Sequence, residues 1–129
     1  MYEKRKVLVL ILASLHFSLS WSQQSGTSAS KPPIKREVFF VLTKTSLNGA
    51  CDKPQSPYAC MVKNIETCRQ NLPVAIDQCE KKMKSQLPAE IKSEEVRFWS
   101  TQISRCIVDD FIILAGSANL DLSKCPSRK

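Results

Sequence analysis

Residues 56–87, SPYACMVKNIETCRQNLPVAIDQCEKKMKSQL, decide the fold class, because their apolar positions recur every three to four residues and prolines punctuate them. Ser56-Pro57 reads as a helix start, an N-cap followed by proline at the first helical position. Tyr58, Met61, Ile65, Cys68 and Leu72 then share one face, and Pro73 closes that segment and opens another. In the second segment Ile76, Cys79, Met83 and Leu87 lie together, opposite Asp77, Lys81, Lys84 and Ser85, until Pro88 ends it.

Downstream, Ser93 is a candidate N-cap, Glu94 and Glu95 suit a helix N-terminus, and Gly116 is the stop. Val96, Trp99, Ile103, Cys106, Ile107, Phe111 and Leu114 form the apolar face between them. Short connections favour antiparallel neighbours. The expectation is an all-α, disulfide-stapled bundle of three helices, about 57–72, 73–87 and 93–115, with the first and third parallel. Upstream, Val38 to Leu42 (VFFVL) is a short apolar run that fits either a strand or a helical turn and caps the bundle. Asn48-Gly49 and Pro54 mark a loop that carries Cys51.

The N-terminus has a charged start, an apolar run from Val7 to Leu19 and small residues around Trp21, the pattern of a secretory signal peptide over 1–22. That run is too short to span a bilayer, so the chain reads as secreted and extracellular and not membrane-spanning. Residues 23–36 are polar and rich in Ser and Pro, a flexible linker or propeptide ending in Lys35-Arg36, a candidate processing site. Residues 37–129 form the single domain. Loss of the leader, with Lys4, Arg5, Lys6 and Glu3, takes the formal charge from +7 to +5. This mild excess comes without any nucleic-acid module, so no nucleic-acid partner is expected.

All six cysteines, Cys51, Cys60, Cys68, Cys79, Cys106 and Cys125, follow the leader, and the single histidine, His16, lies inside it. Their spacing lacks the close ligand pairs of zinc ribbons and fingers, so disulfides are expected, with no metal and no cofactor. If helices one and three are parallel, Cys68 and Cys106 sit at a similar height, which makes them the favoured pair. Without histidine in the mature chain, the usual base for a serine or cysteine nucleophile is missing, and no enzyme activity is expected.

Charged residues on apolar faces need partners. Arg69 lies beside Ile65 and Leu72, and Asp110 lies one turn from Ile107 and Leu114, so parallel helices would pair Arg69 with Asp110 in a partly buried ion pair. Lys81, Lys82 and Lys84 are a candidate surface contact for an acidic receptor or anionic membrane. Trp99 belongs with the core, and Phe98, off the main stripe, is expected to meet the VFFVL segment or, as the alternative, to contact a partner.

Saposin-like domains resemble this chain in carrying six cysteines on amphipathic helices, and Cys68 and Cys79 reproduce one of their spacings. The paired cysteines that open such domains are missing. Insect odorant carriers are similar in helix content and cysteine number, but their closely spaced second and third cysteines have no counterpart. Neither resemblance transfers a function. The residues support a secreted, non-enzymatic effector or binding protein, toxin-like or signalling, that presents a rigid helical surface to an extracellular protein or membrane receptor. The alternative is a carrier of a small apolar ligand or lipid lined by Met61, Met83, Trp99, Ile103 and Phe111, and a further one is an extracellular matrix component.

Overall fold

The computed structural model describes residues 31–126. The leader, His16 and most of the linker expected from the sequence lie outside the described residues. Within them the chain is the disulfide-stapled helical bundle that the apolar periodicity predicts. Its elements run β1 (Ile34–Lys35), α1 (Arg36–Leu47), α2 (Pro57–Cys60), α3 (Ile65–Met83), β2 (Glu90–Ile91) and α4 (Val96–Ala115).

The three long helices are not divided as the prolines suggest. The VFFVL run is the middle of α1, a helix of 12 residues, and not a strand or a single turn. Ser56 caps α2 through its side chain, which accepts from the Tyr58 amide at 3.3 Å, with Pro57 at the first position as expected. This helix stops after four residues because the C-terminal tail takes its backbone partners. The Lys63 amide donates to the Asn119 carbonyl at 2.9 Å, the Asp121 amide donates to the Met61 carbonyl at 2.8 Å, and Val62 bridges Leu120. Asn64 then caps α3, accepting from the Glu66 amide at 2.9 Å.

Pro73 does not separate two helices; it lies inside α3, which continues through it for 19 residues. A proline in a helix interior removes one backbone hydrogen bond and costs about 3 kcal/mol. Here its ring is on the exposed side, while Cys68, Leu72, Ala75, Cys79 and Met83 on either side of it are buried in one stripe. Packing along that stripe and the bridges made by Cys68 and Cys79 outweigh the lost bond. The boundary expected at 72–73 is corrected accordingly, and with it the parallel arrangement of helices one and three.

The directions follow from contacts at the helix ends. The start of α3 meets the end of α4 through Lys63 and Asn119, so these two helices are antiparallel. The Arg36 guanidinium donates to the Lys84 and Leu87 carbonyls at 2.9 and 3.2 Å, and Lys44 reaches Asp77 and Glu80. Hence α1 is also antiparallel to α3. The core lies between them, with Phe39 and Phe40 from α1, Leu72 and Met83 from α3, and Ile103, Ile107 and Phe111 from α4. Tyr58 meets Phe111 edge to face, their centroids 5.5 Å apart.

Two short features close the fold. Ile34 and Lys35 pair antiparallel with Ile91 and Glu90, and the Arg36 amide donates to the Ala89 carbonyl at 2.9 Å. The Ser93 hydroxyl donates to the Lys31 carbonyl at 3.1 Å and does not cap a helix, and α4 begins at Val96, after Lys92 and Glu95 have closed a turn. Gly116, with φ of 78°, ends α4 as its position in the sequence predicts, since that backbone region favours glycine. No described helix is long and apolar enough to cross a membrane.

Candidate functional site

Three disulfides join Cys51 to Cys68, Cys60 to Cys125 and Cys79 to Cys106, with Cα separations of 5.7, 4.9 and 5.7 Å. The expected Cys68 to Cys106 pair is therefore corrected. Because α3 is continuous and antiparallel to α4, Cys68 lies near the far end of α4, and Cys106 lies opposite Cys79. The short turn Ala50–Asp52 brings Cys51 onto Cys68.

The Arg69 to Asp110 pair is corrected for the same reason. Arg69 points outward and binds Asp52, with Nε and Nη2 at 3.0 and 2.5 Å from its Oδ1, and approaches Glu66 at 3.6 Å. Asp52, first, and Glu66 raise the Arg69 pKa above the usual arginine value. Asp110 is buried, only 5 % exposed, and takes its ion pair from Lys82. Of the three lysines singled out as a surface cluster, Lys82 is thus committed to Asp110, whereas Lys81 and Lys84 are exposed.

Lys35 and Arg36 are part of the folded domain. Lys35 lies in β1 against Glu90, and Arg36 opens α1 with its guanidinium anchored on two carbonyls. The ordered domain thus begins upstream of Glu37. Phe98 does not reach the VFFVL segment's buried side; it is 56 % exposed and stacks edge to face on Trp99. The residues suggested for an apolar ligand cavity are used in packing: Met61, Met83, Ile103 and Phe111 are buried in the core, and Trp99 packs against it. Among the described residues no group of three or more His, Cys, Asp or Glu converges as metal ligands.

What remains open to a partner lies on the outer surface. On α1, Phe39, Phe40, Thr43 and Leu47 face α3, which leaves Val38, Val41 and Leu42 on the opposite side, 47 %, 60 % and 53 % exposed. A helix apolar on both sides is ordinarily covered on both. The outer stripe was missed in the sequence because VFFVL reads as a single buried run; its signal is the i, i+3, i+4 spacing of Val38, Val41 and Leu42.

Beside α1, a cleft of about 540 Å³ runs along α3. Leu47, Leu72, Pro73 and Ile76 give it an apolar lining, and two sets of charges border it. At one end Lys44 binds Glu80 at 2.6 Å and Asp77 at 3.0 Å, and these carboxylates raise its pKa, Glu80 contributing more. At the other end is the Arg69 to Asp52 pair. This arrangement can hold an apolar side chain between charged neighbours.

Residues 57–117 match the model of a family described as NttA, T2SS substrate NttA. The match takes in α2, α3 and α4 and leaves out α1, Cys51 and Cys125. No curated protein and no solved structure matches the chain. The likeness is to a substrate of a type II secretion system, and closed disulfides persist in oxidising, extracytoplasmic compartments. Both agree with the secreted localisation read from the sequence.

Proposed function

We propose that this protein is a secreted, non-enzymatic effector or binding protein that presents a rigid helical surface to a macromolecular partner outside the cell that makes it. The observation that carries this reading is the outer face of α1, where Val38, Val41 and Leu42 stand exposed on a helix whose other side packs into the core through Phe39 and Phe40. Disulfides hold the scaffold beneath that face, so little conformational freedom is lost on association. The likeness to a secretion substrate supports export of the folded domain.

The test is a Val41→Asp/Leu42→Asp variant of the secreted chain. Both side chains are exposed, so its circular dichroism and melting temperature should match the parent. Chemical crosslinking on intact target cells should then recover a partner with the parent and not with the variant. Equal recovery would remove α1 from the binding surface, and recovery of none by the parent would remove the reading itself.

A further inference from the structure

The side of α4 turned away from α3 is a bare face of one helix, carrying Arg97, Ser100, Thr101, Ser104, Arg105 and Asp109. Arg97 and Arg105 are exposed and form no ion pair with a described residue, unlike Arg36 and Arg69. Eight residues apart on a helix, they stand about 12 Å from each other along its axis. Only Ser100, Thr101 and Ser104 lie between them on this side, and the Thr101 hydroxyl is turned back onto the Arg97 carbonyl at 2.9 Å. Small side chains there let another backbone come close. Phe98, 56 % exposed, flanks the same surface.

We propose that this face binds an acidic segment of a partner protein, with one carboxylate at Arg97 and one at Arg105. It deepens the binding-protein reading and rests on it, but uses a different surface from α1. The guanidinium fork matches a carboxylate in two parallel hydrogen bonds, and arginine with an exposed aromatic is the composition of protein-binding hot spots. In an extended segment, rising about 3.3 Å per residue, a 12 Å separation corresponds to acidic residues roughly four positions apart, on the same side of the strand. Two arginines are fewer than the roughly four to eight clustered basic residues that hold a protein to anionic lipid, whereas two carboxylates of a peptide meet them one to one, which favours a protein segment over a lipid surface.

The experiment uses the full secreted chain and a synthetic peptide with two glutamates four residues apart in a Ser/Gly background, together with its glutamine counterpart. Titration followed by amide ¹H–¹⁵N spectra should shift signals across 97–109 with the glutamate peptide only. Arg97→Gln/Arg105→Gln should weaken binding roughly five- to tenfold. Lys81→Gln/Lys84→Gln, with the same loss of charge elsewhere, should leave it unchanged. Equal weakening by both variants, or shifts spread over the whole surface, would overturn the assignment as non-specific charge attraction. Arginine-dependent binding to vesicles of anionic lipid without peptide binding would overturn it in favour of a membrane. If the parent chain fails to bind the glutamate peptide but still recovers the cell-surface partner through α1, the acidic-segment assignment is refuted and the binding-protein reading stands.

Discussion

Lys82 reaches from the exposed side of α3 to Asp110 on the buried side of α4, and the second carboxylate oxygen of Asp110 has no hydrogen-bond partner among the described residues. The pair spans the same helix interface as the Cys79 to Cys106 bridge. Its two members are unequally placed: Asp110 has left water, and Lys82 largely has not. Removing the lysine therefore strands a buried charge, whereas neutralising the aspartate relieves one.

Lys82→Met should destabilise the fold by about 1–3 kcal/mol in urea denaturation, and Asp110→Asn should cost less. The double variant should recover most of the loss. A double variant whose cost equals the sum of the two would show that the residues are not coupled.

The three bridges should differ in reactivity. Cys51, Cys68 and Cys79 are buried, so two of the bridges have at least one buried sulfur, whereas Cys60 and Cys125 are both only partly buried. Thiolate exchange requires access, so a small thiol should open Cys60 to Cys125 first, as read by alkylation and mass spectrometry over time. Chain entropy ranks them otherwise, since the sequence separation of 65 at this bridge exceeds the 27 of Cys79 to Cys106. Early opening of Cys79 to Cys106 would mean that the helix interface breathes more readily than its burial implies.

Pro73→Ala should stabilise α3. The alanine amide can donate to the Arg69 carbonyl, which proline cannot, and the side chain is exposed. A gain of about 1–3 kcal/mol in thermal or urea unfolding is expected. A loss instead would show that a proline-set bend is required for α1 to seat against α3.

The tail should loosen in acid. Asp121 accepts from the Ser123 hydroxyl at 2.5 Å and from its amide at 3.2 Å, and these bonds, the hydroxyl first, lower its pKa below the ordinary 3.8. A depressed carboxylate contributes stability that is present above its unfolded value and lost as the pH falls through its folded value. Amide signals of Ser123 and Lys124 should therefore move below pH 3.8, while those of α3 and α4 hold. Asp121→Asn should abolish that transition. A Ser123 signal unchanged on acidification would exclude the cap as its cause.

Particular residues show how far the chain could be read without coordinates. Ser56-Pro57, Gly116 and the apolar stripe from Val96 to Leu114 carry their meaning locally, through backbone geometry and periodicity, and each does in the structure what its position predicts. Pro73 misleads because its local preference is overridden by packing on both sides of it. Met61 to Lys63 leave the helix for partners at 119–121, nearly sixty residues away, and nothing in their neighbourhood signals it. The two-residue ladder of β1 and β2 is too short to produce an alternating pattern.

The amino-acid sequence by itself determined the helical class, the helix faces and a cysteine content suited to an oxidising compartment, because these depend on spacing and composition. Only the tertiary structure decided which cysteines and charges meet. One continuous α3, antiparallel to both α1 and α4, moved Cys68 to Cys51, Cys106 to Cys79 and Asp110 to Lys82. It also left Val38, Val41, Leu42, Arg97 and Arg105 facing outward. The physical reason is that pairing depends on helix direction, and direction is set by long-range contacts that no local pattern encodes.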